Sequence, residues 1–186
     1  MSKITAISGR VLYNSRGSKT IEVDVTADEK YQGRVCAPSG ASVGKFEAVS
    51  FPNNSPEESL SLLNQNSDKF IGIDSSDLKQ VHDVIHSIDE TDNYAKIGGA
   101  CAFAITIAAT ESAAKVENKQ FFQMISGKSD LKFPFPLGNI LGGGAHAGPG
   151  TPDIQEILVA SIGAKTVRES IDTNLQVHKE LKKLIL

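Results

Sequence analysis

Long apolar runs are missing from this chain. No window approaches 18 uninterrupted apolar residues, which excludes a membrane-spanning helix. The start, Met1-Ser2-Lys3-Ile4, lacks the apolar core of a secretory leader. Cysteine is scarce. Cys36 and Cys101 stand far apart and without a partner motif, so neither a disulfide framework nor a metal knuckle is expected. Both read as reduced, buried small hydrophobes of a cytoplasmic protein. An excess of one charge is missing too. The 19 Lys+Arg and 22 Asp+Glu leave a formal net charge of −3, which gives no basic face for nucleic acid. Internal repeats and low-complexity tails are absent. What remains is a globular composition, long enough for one domain or one and a fraction.

Strands come first. Ile4 to Leu12, Thr20 to Thr26 and Tyr31 to Ala37 read as a three-stranded antiparallel meander with polar turns between. The middle strand alternates: Ile21, Val23 and Val25 on one face, Glu22 and Asp24 on the other. A small-residue loop, Pro38 to Gly44, follows; such a loop is either a flexible tether or a lid with glycine hinges. Helices come next. Ser55-Pro56-Glu57-Glu58 is a cap, a first-turn proline and first-turn acids. Ser75-Ser76-Asp77 opens a second helix to about Ile88. On it His82 and His86 share a face, at a spacing that can hold zinc, but a third ligand is missing and a solvated face is the expectation. Gly98 to Val116 is apolar nearly all round, so it is expected to be buried on several sides. A short helix, Gln120 to Ile125, ends at Gly127.

The stretch from Phe135 to Leu158 organises the rest. An apolar run is broken by Gly142-Gly143-Gly144, His146 follows, and Gln155-Glu156 leads into a second apolar run, Ile157 to Ile162. The pattern predicts strand, glycine-rich turn, strand. It would put an imidazole, an amide and a carboxylate near one mouth. The turn is no P-loop, because Ala145-His146 stands where Lys-Ser/Thr is needed, and no acidic residue follows at the Rossmann spacing. Spacing alone says "site" without saying which, and a plain turn would look the same. A last helix starts near Thr166, with Val167, Ile171, Leu175, His178 and Leu181 in one stripe. The chain stops at Leu186 inside this stripe, with no glycine cap, so it is expected to be incomplete.

Five stretches, in order, resemble the enolase family. They are Asn14-Ser15-Arg16-Gly17; Pro38-Ser39-Gly40-Ala41-Ser42-Val43-Gly44 with Glu47-Ala48; Ile97-Gly98-Gly99-Ala100; Asn139-Ile140-Leu141-Gly142-Gly143-Gly144-Ala145-His146-Ala147; and Gln155-Glu156-Ile157-Leu158. The resemblance implies an α+β chain: the meander, a helical bundle, then the first strands and helix of an incomplete (β/α)8-type barrel. The capping domain would span residues 1–133 and the truncated barrel start residues 134–186.

The activity it implies is the reversible dehydration of 2-phosphoglycerate to phosphoenolpyruvate with Mg²⁺. A proton is removed beside a carboxylate there, so the intermediate needs cations in a dry site. By the same resemblance Ser42 is a lid ligand of magnesium, and Ala41 beside it contacts substrate. His146 binds substrate near the phosphate and leaving group, Gln155 contacts substrate, and Glu156 assists departure of hydroxide. Arg10 and Glu22 match positions used at a dimer interface, and two exposed strand charges read the same way. Val43 and Phe46 stand where the family has threonine and histidine. The catalytic lysine, the second carboxylate and the acidic magnesium ligands fall beyond Leu186 in the family, so this chain alone is expected to be inactive. A homodimer, or pairing with the missing barrel segment, is the expected assembly. A non-catalytic binding or assembly half is the alternative, and a superfamily relative with another substrate is a third.

Overall fold

The structure is a computed structural model describing residues 2–40, 43–128 and 130–185, and for Ala145 and His146 the backbone alone. The chain divides into two compact units between residues 129 and 130.

The first unit begins with β1 (Ile4–Tyr13), β2 (Lys19–Ala27) and β3 (Tyr31–Cys36), an antiparallel sheet in the order β1-β2-β3. Central β2 keeps the alternation of its sequence. Ile21, Val23 and Val25 are fully buried, and they belong to the core cluster that the helices complete. These are α1 (Pro56–Gln65), α2 (Leu78–Ile88), α3 (Gly99–Val116) and α4 (Phe121–Ser126). α3 lies on β2 and β3. Its alanines let it come close, and Gly33 of β3 lets it come closer: a Cβ there would sit 1.9 Å from the Ala108 carbonyl oxygen. Ser55 accepts a hydrogen bond from the Glu58 N–H at the start of α1, and Asp77 accepts one from Gln80 at the start of α2, which are the caps the sequence signalled.

The polar face of the sheet is not simply solvated. Glu22 and Asp24 are each 8% exposed, because Arg10 and Arg34 from the flanking strands fold over them. Arg34 holds Asp24 with two nitrogens, at 2.6 and 3.2 Å, and Arg10 pairs with Glu22 and Asp24. Register explains this, since Arg10 faces Glu22 and Arg34 faces Asp24 across the ladder.

Cys36 corrects an expectation. It is exposed, not buried, because β3 places it on this polar face opposite Glu22, whose carboxylate accepts its thiol at 3.2 Å. Partial burial and that hydrogen bond push the thiol up. Cys101 is fully buried, which pushes its thiol up to about 12. His82 also departs from the solvated face expected for it: it is half-buried, 3.4 Å from the Thr106 hydroxyl. His86 is exposed and lies on Tyr94, ring centroids 5.6 Å apart.

One hydroxyl under α1, Ser59 Oγ, is buried without a hydrogen-bond partner. A buried polar atom left unpaired is a net cost. Ser59→Ala should therefore leave stability unchanged or raise it by up to about 1 kcal/mol. The midpoint of urea unfolding, at constant slope, measures this.

The second unit holds β4 (Leu137–Gly142), α5 (Gly144–Ala147), β5 (Glu156–Ala160) and α6 (Val167–Ile185). β4 and β5 form an antiparallel pair with an irregularity between Asn139 and Leu141, and α6 packs on β4. Thr166 caps α6 by accepting from the Glu169 N–H, and the Glu169 carboxylate accepts from the Lys165 N–H just before it. Asn174 of α6 donates to the Pro136 carbonyl at 2.8 Å. The described residues thus form a three-stranded antiparallel sheet with helices, then two further strands and a helix, with no closed barrel. Leu137, Ile157 and Leu175 of this unit are exposed.

Candidate functional site

Two places gather the residues singled out above, one in each unit. In the second unit the glycine turn is tighter than strand-turn-strand. A single turn of helix, α5, sits between the strands. Gly143 makes it possible. Its N–H donates to the Gln155 carbonyl at 2.7 Å, and a Cβ on it would lie 2.4 Å from the Ile154 carbonyl oxygen. Gly144, at φ +60°, donates to the Pro152 carbonyl at 2.8 Å. Only glycine fits that approach and that φ at no steric cost.

The start of α5 therefore rests against Gln155, and α5, Gln155 and Glu156 share one end of the hairpin. Gln155 and Glu156 are both exposed. The Glu156 carboxylate accepts one hydrogen bond, 3.3 Å from Asn139 Nδ2. The backbone of His146 lies in α5, and its side chain is outside what the structure describes. Such an end can present an amide and a carboxylate to a polar ligand.

In the first unit the loop after β3 has two anchored feet. Ala41 and Ser42 fall outside the described residues. The first foot is tied to the sheet: the Ala37 N–H donates to Ile21, the Thr20 hydroxyl donates to Ala37, and Asn14 donates to the Ser39 hydroxyl. The second foot is tied to the loop between α2 and α3. The Val49 N–H donates to the Asn93 carbonyl at 2.9 Å, and the Gly99 N–H donates to the Val49 carbonyl at 2.7 Å.

That loop is organised by a residue the sequence reading passed over. Asp89 is fully buried. Its carboxylate accepts from the Thr91 N–H and hydroxyl and from the N–H groups of Lys96 and Ile97, at 2.6–3.0 Å. Burial pushes this carboxyl up, but the bonds from Thr91, Ile97 and Lys96 outweigh it and hold the group below its ordinary value. The signal in the sequence was an Asp two residues before a Thr at the end of a helix, the pattern of an Asx turn. Within the same loop Tyr94 adopts φ +57°, uncommon for a bulky side chain. Between the feet, α2 and α3 lies an apolar cavity of about 400 Å³, with His82, Tyr94 and Phe103 in its walls.

Arg10 and Glu22 lie elsewhere, on the polar face of the sheet, paired with each other. Among the described residues no group of three His, Cys, Asp or Glu could hold a metal ion.

Comparison with known proteins covers nearly the whole chain. Residues 4–125 match the family model for the enolase N-terminal domain, and residues 130–186 match that for the enolase C-terminal TIM barrel domain. The enolase of Methanosphaera stadtmanae is 39% identical over 182 residues, covering 97% of this chain and 44% of that protein. That of Methanothermobacter thermautotrophicus is 38% identical, covering 99% of this chain and 44% of that protein. That of Halobacterium salinarum is 39% identical, with 98% and 46% covered. The chain thus spans less than half the length of these relatives.

Proposed function

The chain belongs to the enolase family, and from that premise we propose that it supplies the lid and the first barrel elements of an enolase-type lyase. The reaction is the reversible dehydration of 2-phosphoglycerate to phosphoenolpyruvate in the cytoplasm. One observation carries the reading: both family domains match, in order, across a chain whose glycine turn sets Gln155 and Glu156 at one end of the β4–β5 hairpin. In this reading His146 holds substrate near its phosphate and leaving group. Gln155 orients the substrate, and Glu156 assists departure of hydroxide. From the lid, Ala41 touches substrate and Ser42 supplies one ligand to Mg²⁺. The described residues do not complete a magnesium site, since no group of three candidate ligands is present among them. The remaining ligands and the base would come from the rest of the protein. Arg10 and Glu22 serve a homodimer interface in this reading, on the face where they already pair.

A second reading is supported by a different observation. Leu137, Ile157, Leu158, Ile171 and Leu175 are exposed on the β4–β5 hairpin and α6. A binding or assembly half, pairing with a barrel chain or a whole enolase, would cover them.

Complementation in trans separates the two. The chain is mixed with an inactive segment of a relative that begins where residue 186 ends, magnesium is added, and phosphoenolpyruvate is followed by absorbance. The lyase reading predicts no product from either part alone and product from the mixture. Glu156→Gln should lower that rate by about 10²-fold or more, the usual worth of a positioned acid–base group. Association without product would favour the assembly reading.

A further inference from the structure

We propose that the start of α6 holds a ligand site that takes the phosphate group of a small phosphomonoester. The site is independent of both readings above, because it lies at the other end of the hairpin from Gln155 and Glu156. Leu137 pairs with Ala160 at this end, whereas Gly142 pairs with Glu156 at the far one. Here the segment leading into β4 and the first turn of α6 enclose a cavity of about 250 Å³. That is a little below the roughly 300 Å³ at which pockets for drug-sized ligands begin, so the occupant is small. Phe133 and Phe135 line it, together with Lys132, Lys165, Thr166 and Ser170.

Two independent observations point to a ligand. The first is Ser170. It is 2% exposed, it stands in the cavity wall, and its hydroxyl is buried without a hydrogen-bond partner among the described residues. An unpaired buried hydroxyl is a net cost, which an acceptor brought into the cavity removes. The second is the helix end itself. α6 is 19 residues long, and among the described residues nothing accepts from the Val167 and Arg168 N–H groups. Such an end attracts negative charge through its free donors and its dipole. Thr166 accepts from the Glu169 N–H and keeps its own proton to donate. Among the described residues neither Lys132 nor Lys165 pairs with a carboxylate. The donors outnumber what a flat carboxylate with two oxygens can use, and a phosphate offers three strong acceptor oxygens. The two phenylalanine rings supply a surface for the carbon body of an ester. The Glu169 carboxylate shares this helix end and opposes an anion, but it accepts from the Lys165 N–H at 2.8 Å and does not line the cavity.

The test titrates the ¹⁵N-labelled chain with phenyl phosphate and with inorganic phosphate, at an ionic strength held constant with chloride. The Val167 and Arg168 N–H resonances should shift and saturate with both. Phenyl phosphate should bind about tenfold more tightly, through its ring on Phe133 and Phe135. Ser170→Ala should weaken both about tenfold, through loss of a hydrogen bond to a charged group. It removes an unpaired hydroxyl, so the melting temperature without ligand should hold or rise, which separates a binding role from a structural one. Glu169→Gln should strengthen binding about threefold by removing the opposing charge. Lys165→Gln, at an exposed side chain, should weaken it about threefold and serves if Ser170→Ala does not fold. No saturating shift with either anion overturns the site. So does binding that Ser170→Ala, or Lys165→Gln in its place, leaves unchanged. Equal affinities for the two anions would overturn the ester and leave free phosphate as the ligand.

Discussion

Asp89→Ala should lower the stability of the first unit by about 3 kcal/mol, through loss of hydrogen bonds to a charged group and the unpaired donors left behind. The melting temperature should fall by roughly 10 °C for a unit of this size. The reason lies in the accounting of donors. Four of them, the Thr91 N–H and hydroxyl and the N–H groups of Lys96 and Ile97, converge on one fully buried carboxylate. Ile97 is itself fully buried, so no water replaces the lost acceptor there. Asp89→Asn keeps the shape but turns an amide toward donors, and should cost nearly as much. The pH dependence has a definite sign. The folded carboxyl is held below its ordinary value, so its stabilisation is complete above the unfolded value, about pH 3.9. It is lost as pH falls through the lowered folded value. The stability gap between the native chain and Asp89→Asn should therefore be constant from pH 8 to 5 and shrink below about pH 4. Urea titrations across that range measure it, and a gap that widens in acid would contradict the assignment.

Gly33→Ala should be as damaging by a different route. The added methyl would lie 1.9 Å from the Ala108 carbonyl oxygen and 2.8 Å from the Ser112 nitrogen, both backbone atoms of α3. Neither can rotate away, so the helix must lift off the sheet. Overpacking of this kind costs about 1–3 kcal/mol and occasionally more. The upper end is expected here, because α3 packs on both β2 and β3 and supplies much of the core cluster. Gly44→Ala is the contrast. The nearest atom to its added methyl is a Glu47 carboxylate oxygen at 3.7 Å, an ordinary contact, and stability should change by less than about 0.5 kcal/mol. Chain entropy alone favours alanine at either position, so a loss at Gly33 no larger than that at Gly44 would contradict the close approach as its cause.

The sheet and the long helices were legible because each depends on local pattern. Alternation at Ile21, Val23 and Val25 placed β2, and the Ser55-Pro56 and Asp77 caps placed α1 and α2. The enolase-like motifs, read in order, indicated the fold that the family models match. What stayed hidden depends on contacts distant in sequence. Helix α5 exists because Gly143 and Gly144 seat against carbonyls of Pro152, Ile154 and Gln155 across the turn. Cys36 is apolar by type but polar by register, and only the pairing with Glu22 reveals that. A buried role for Asp89 conflicts with its residue type, since Asp is seldom buried without partners, and those partners lie up to eight residues on. The roles of Gln155 and Glu156 rest on motif and family, because their exposed side chains carry little local signature of chemistry.

The close seat of α3 on Gly33 also sets a timetable during synthesis. Every member of the core cluster lies between Ile4 and Ala109, and most of the cover over β2 and β3 comes only when α3 arrives. The interval between translating Cys36 and Ala108 is roughly 4–14 s at about 5–20 residues per second. Throughout it, Ile21, Val23 and Val25 lack the cover that α3 gives them. Once α3 has emerged, the first unit has its whole core in hand, so it can fold while the later strands are still being made.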